Sequence, residues 1–201
     1  MKLGNKKLVN PFIYQGYESP EYFCDREAET ATLLSHLKNG RNVTLISPRR
    51  IGKTGLIKNT FFYLQEEERD AVCLYLDIFA TKNLHDFVEL LGVMVINDIV
   101  RKNASFIEKT IAFFSALRPV LSMDPLTGEP SVSITVEPTQ EEITMRSIFN
   151  YLNKSGKEIY IAIDEFQQIA EYPEKGTELY CVPTFSLPSM YTSSSLAASS
   201  T

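Results

Sequence analysis

The sequence predicts an α/β domain: a mainly parallel sheet with helices on both faces and a β-hairpin inserted before the last helix–strand unit. Three observations carry that reading. Short apolar runs at Val43–Ile46, Ala71–Asp77 and Glu158–Asp164 alternate with stretches of helical period, the pattern of successive βαβ units. A loop reading Ser47-Pro48-Arg49-Arg50-Ile51-Gly52-Lys53-Thr54 stands where the first strand meets the next helix. The third strand ends in two acids, Asp164-Glu165. Material for a core is present, since 44% of the 201 residues are hydrophobic and 22% charged, as in an ordinary globular domain.

In chain order, residues 1–22 mix aromatics and prolines without a helical period and read as an irregular lead. A helix follows over Arg26–Lys38, with Asp25 as its N-cap, Ala28, Ala31, Leu34 and Leu37 on one stripe, and Asn39-Gly40 as its stop. Strand Val43–Ile46 leads through the loop into a helix from Gly52 to Glu66, and Ala71–Asp77 forms a second buried strand. Helical period returns from Asn83 to about Leu117, in two pieces that part at Lys102–Ser105. Asp124–Gly128 reads as a turn and Ser131–Glu137 alternates with period two, which predicts the hairpin. Thr139 with Glu142 forms a capping-box pattern for a helix to Lys154, stopped by Ser155-Gly156 and followed by strand Glu158–Asp164.

Composition excludes several classes. A net charge of −5 gives no chain-wide basic surface for nucleic acid. Three scattered cysteines make no disulfide framework and fit a reducing, cytoplasmic setting. His36 and His85 form no zinc pattern with them. The start of the chain has no apolar signal core, and no stretch has the length and apolarity of a membrane helix.

The chemistry concentrates in the two motifs. Backbone N–H groups at a helix N-terminus form an anion nest, so a strand–loop–helix ending in Gly-Lys-Thr is built for phosphate. Within Ser47–Gly55, Lys53 reaches the outer phosphates of a nucleotide and the Thr54 hydroxyl ligates Mg²⁺. Ser47 stands where the pattern has its first glycine, and is small enough to keep the loop open. Asp164 then shares the metal through its water shell, and Glu165 orients and polarises an attacking water. No Asn-Lys-x-Asp guanine motif occurs, so the nucleotide is read as ATP. Arg49 and Arg50 are further phosphate candidates, while Phe166 and Gln167-Gln168 stand where a nucleotide-state relay would be.

These motifs resemble the archaeal-type ATPases, an AAA+/STAND-like family of P-loop ATPases. The stretch Phe23-Cys24-Asp25-Arg26-Glu27-Ala28-Glu29 is similar to the family's segment ahead of the phosphate loop, with Cys24-Asp25 departing from its commoner Val-Gly. The resemblance implies an ASCE/AAA+-like fold, ATP and Mg²⁺ as ligands, Phe23, Arg26 and Glu27 beside the base, and an oligomer or a protein partner. It divides the chain into the lead, an incomplete ATPase domain over 23–178 and a tail over 179–201. That tail carries no charge, and Phe185–Thr201 holds seven serines in 17 residues, so it reads as disordered or out of frame. Read one base earlier, its codons permit a helix and then an apolar strand ending in Gly-Ser, as would follow from one base lost near Glu178. As written, Thr192–Ser195 is too polar to fill the buried middle strand of such a sheet and is expected to stay disordered or pair only weakly. The family's later strands and lid are then missing, and the fragment turns over weakly or not at all. Two other classes compete with an ATPase: a nucleotide-binding regulatory module without turnover, and a DNA-associated factor.

Overall fold

The computed structural model describes residues 16–48, 50–102, 117–123, 130–136, 139–174 and 189–194. Its elements are helix α1 (Glu27–Lys38), strand β1 (Val43–Ser47), α2 (Lys53–Glu67), β2 (Val72–Asp77), α3 (Leu84–Lys102), β3 (Leu117–Met123), β4 (Pro130–Val136), α4 (Glu141–Lys154), β5 (Ile159–Asp164) and β6 (Ser189–Ser194). Short 3-10 turns occupy Pro20–Tyr22 and Phe166–Glu171. Four strands make one parallel sheet in the order β1-β6-β5-β2, and β3 pairs with β4 as a separate antiparallel ribbon.

The period of two along β5 sorts the core into two layers. Ile159, Ile161 and Ile163 face α3 and α4, where Phe87, Leu91 and Phe149 are fully or almost fully buried. Tyr160 and Ala162 face α1 and α2, against Leu37, Ile57 and Leu64. Each such side chain contributes about 1.5–3 kcal/mol by leaving water, so the helices are held by the faces they present to the sheet. The ribbon is anchored through Val136, which is buried in the α3–α4 layer and donates its N–H to Glu89 Oε1 at 3.2 Å.

Several boundaries move for local reasons. Asp25 is not the N-cap of α1: its φ of 63° lies in the left-handed region, and Arg26 holds that position without a side-chain cap. Ala28 and Ala31 are exposed, and the buried stripe is Thr30, Leu33 and Leu37. Thr30 is drawn inward by a hydrogen bond from Asn59 Nδ2 at 3.1 Å. Helix α4 begins after Gln140, and the carboxylate that accepts the Thr139 N–H, at 3.3 Å, belongs to Glu141 rather than Glu142. Leu117 opens strand β3 instead of closing a helix, while the helical stretch expected before it and the turn at 124–128 lie outside the described residues.

The larger correction concerns the tail. Ser189–Ser194 forms β6 in the middle of the sheet, with Leu45 opposite Thr192 on one side and Ile163 opposite Tyr191 on the other. A parallel ladder is made by backbone N–H and C=O groups, which serine and threonine supply as fully as valine does. Polarity therefore did not keep the segment out.

Candidate functional site

The loop after β1 owes its shape to backbone conformations that few residues adopt. Arg50 and Gly52 have φ of 66° and 81°, both left-handed, and Gly52 is the residue before α2. Glycine takes this conformation without a steric cost, whereas a residue with a Cβ is strained there by about 1–2 kcal/mol. Left-handed residues in such a turn aim successive N–H groups to one side, as an anion nest requires, and Gly52 brings no side chain to cap the first turn of α2. Ile51, between them, is 40% exposed. Arg49 lies outside the described residues.

Lys53 arches back over this loop. Its ammonium donates to Ser47 O at 3.0 Å and Pro48 O at 3.2 Å, so the charge sits over the strand–loop junction. Ser47 Oγ is buried there with no hydrogen-bond partner among the described residues, a polar atom suited to meeting an anionic oxygen.

Thr54, one residue further, donates its hydroxyl to Asp164 Oδ2 at 2.9 Å. The two motifs that the sequence keeps 110 positions apart thus meet at one carboxylate. Asp164 is only 6% exposed, and its other oxygen accepts the Glu165 N–H at 3.0 Å. Tyr75, on β2, also donates to Oδ2, at 2.5 Å. Burial, then the hydrogen bond to Asp164, push the Tyr75 phenol well above its usual range, so it remains a proton donor. Lys58 lies 5.4 Å from the centre of the same ring. In the sequence Tyr75 stands only as one residue of the buried strand Ala71–Asp77, and a phenol among its aliphatic residues was the one available signal.

Glu165 has a φ of 57°, a left-handed conformation held at the strand end, and its carboxylate accepts a hydrogen bond from Gln167 Nε2. The turn it opens is tied to the loop after β2: Gln168 Nε2 donates to Thr81 O at 3.2 Å, and Thr81 Oγ1 bonds the Tyr172 hydroxyl.

Of the residues assigned to the base, Arg26 reaches the loop directly, donating from Nη2 to Ile51 O at 2.7 Å. Phe23 lies over Gly55, where an added Cβ would meet the ring at 2.8 Å, and stacks edge-on against Tyr17 with centroids 5.9 Å apart. Arg26 lines two clefts: one of about 440 Å³ shared with Leu33, Val43, Leu45, Ile51 and Lys53, and one of about 260 Å³ shared with Phe23 and Glu27. Phe23 and Glu27 therefore line a different cleft from Lys53, with Arg26 shared by both.

Among the described residues no helix is long and apolar enough to cross a membrane. No curated protein matches the chain. Among solved structures, the Walker-type ATPase PABY2304 of Pyrococcus abyssi is 17% identical, with a TM-score of 0.55 over 92% of this chain and 49% of that one. The Aeropyrum pernix ORC2 protein, in its ADPNP–ADP complexes, is 15% identical, with a TM-score of 0.56 over 89% and 44% of the two chains. Cdc6p from Pyrobaculum aerophilum is 13% identical, with a TM-score of 0.51 over 89% and 41%. The chain spans about half the length of these structures or less, and the likeness is one of fold: a P-loop ATPase sheet. A family model described as an ATPase domain predominantly from Archaea matches residues 23–187, most of the sequence, and the chain belongs to that family of archaeal-type ATPases.

Proposed function

We propose that the chain binds ATP at the loop Ser47–Gly55 and hydrolyses it with Mg²⁺, using the step as a switch or motor for a protein partner. The observation that carries this reading is the Thr54–Asp164 hydrogen bond, which joins the phosphate-type loop to the acidic strand end. Lys53 and the N–H groups opening α2 hold the outer phosphates, with Arg26, Phe23 and Glu27 on the side of the base. The Thr54 hydroxyl and the Asp164 carboxylate are hard oxygen donors suited to Mg²⁺, which keeps several waters and needs few protein ligands. Bound there, Mg²⁺ would neutralise charge on the phosphate oxygens. Glu165 is the general base, placed next to Asp164 so that its carboxylate polarises the attacking water.

Phosphate release tests turnover. Glu165→Gln keeps shape and hydrogen bonding but removes the charge, so hydrolysis should fall about 10²-fold or more while ATP affinity stays near that of the wild type. Equal rates would assign the base elsewhere. One observation favours a second reading, a nucleotide-binding regulatory module without turnover: the Glu165 carboxylate is engaged by Gln167. Tight ATP binding with no phosphate release would select it.

A further inference from the structure

We propose that Tyr75 is a positioning residue for the metal end of this site, fixing the Asp164 carboxylate in the orientation in which it meets Thr54. The inference rests on reading the site as an ATP–Mg²⁺ centre. Three donors from three parts of the fold address one carboxylate: Thr54 and Tyr75 at Oδ2, at 2.9 and 2.5 Å, and the Glu165 N–H at Oδ1, at 3.0 Å. The register explains how a tyrosine on a neighbouring strand arrives there. Tyr75 pairs with Ala162 and Asp77 with Asp164, so Tyr75 lies one pleat repeat behind Asp164 on the same face. Ala162 has only a methyl group, which leaves room for the phenol to extend along the sheet towards the carboxylate. Lys58, 5.4 Å from the ring centre, steadies the ring from the α2 side.

The physical need is for orientation. The terminal torsion of an aspartate is soft, so each donor on the carboxylate narrows the range over which it turns. Mg²⁺ demands near-ideal octahedral geometry, and a ligand or water acceptor that turns loses affinity for it. A second donor on the oxygen shared with Thr54 removes that freedom, which is the general role of outer partners at metal sites.

Tyr75→Phe removes only the hydroxyl and keeps the ring. ATP is titrated into wild type and variant over a series of Mg²⁺ concentrations and in EDTA, with melting curves recorded without nucleotide. The Mg²⁺ concentration giving half of the gain in ATP affinity should rise about tenfold. Affinity in EDTA should stay at the wild-type value, and the melting temperature should fall by no more than the few degrees that one lost hydrogen bond accounts for. Placing 4-aminophenylalanine at position 75 restores a donor and should restore the Mg²⁺ midpoint. An unchanged midpoint in Tyr75→Phe overturns the proposal. So does an equal loss with and without Mg²⁺, which would mark a merely structural phenol. Thr54→Val, run alongside, checks the parent reading. If the wild type gains nothing from Mg²⁺, or Thr54→Val loses nothing, that reading falls and this inference with it. If both behave as expected and Tyr75→Phe matches the wild type, only the role of Tyr75 falls.

Discussion

Thr54 and Asp164 share a hydrogen bond of 2.9 Å across 110 residues of sequence, and through it the first turn of α2 is fastened to the end of β5. The two strands are not neighbours, since β6 lies between β1 and β5. The contact is therefore made above the sheet, at the ends of strands that all point the same way. In open parallel sheets this carboxyl end is where ligands bind.

Cutting that contact should separate metal from nucleotide. In Thr54→Val a methyl replaces the hydroxyl, so the enhancement of ATP binding by Mg²⁺ should fall by about 10-fold or more, while binding in EDTA is retained. Calorimetric titration with and without Mg²⁺ checks this. Retained enhancement would place the metal on other residues.

Gly55 supplies a test of the Phe23 side. Within a helix Gly→Ala ordinarily stabilises by about 0.5–1 kcal/mol. Here the new Cβ meets Phe23 Cε2 at 2.8 Å, closer than real contacts allow, so the ring must move. Gly55→Ala should therefore give no rise in melting temperature, and the expected rise should reappear in a Phe23→Ala background. Additive effects of the two substitutions would show that the ring does not press on Gly55.

How much of this was legible in the sequence follows from the range of each interaction. The loop, its Gly52 and the acidic strand end are local patterns, and each was placed within a residue of its element. The capping details at Asp25, Thr139 and Glu142 were misread because several small polar or acidic neighbours compete for one cap, and backbone geometry decides between them. Tyr75 was out of reach, since its partner is set by the β2–β5 register and by the small side chain of Ala162. Thr30, which is not on the expected Ala28–Ala31–Leu34–Leu37 stripe, is buried with a polar chain from Tyr17 through Asn59 that no periodicity reveals. The serine-rich tail misled for the opposite reason. Composition argues about side chains, and β6 is joined to its neighbours through backbone.

A proline in β6 tests that last point. Thr192→Pro removes an N–H from a strand paired on both sides, leaving a ladder partner unmatched at about 1–3 kcal/mol. Urea unfolding should show a loss of that size, together with a greater tendency to self-associate as the β1 and β5 edges open. Unchanged stability would mean that the segment does not contribute to the sheet.

Alkaline pH reports the packing of the phenols. Tyr17 and Tyr160 are each pushed up to about 12, mainly by burial, with the neighbouring Tyr63 adding at Tyr17 and Glu68 at Tyr160. A folded pKa raised above the ordinary 10 means that the folded state holds these protons more tightly. Their contribution is then complete below about pH 10 and is lost as the pH climbs towards 12. The melting temperature should fall across that window, and phenolate absorbance should show a fraction of the ten tyrosines ionising late. A single ordinary titration of all ten would contradict the burial.

The central claim is that the loop Ser47–Gly55 is an ATP site served by one lysine. Isothermal titration of ATP with Mg²⁺ into the wild type and into Lys53→Ala tests it most directly, because Lys53 is the side-chain cation held at the loop's mouth. The account predicts saturable binding of one ATP per chain in the wild type, and loss of that binding in a Lys53→Ala protein whose melting curve is unchanged. Equal affinity in the two proteins would contradict it.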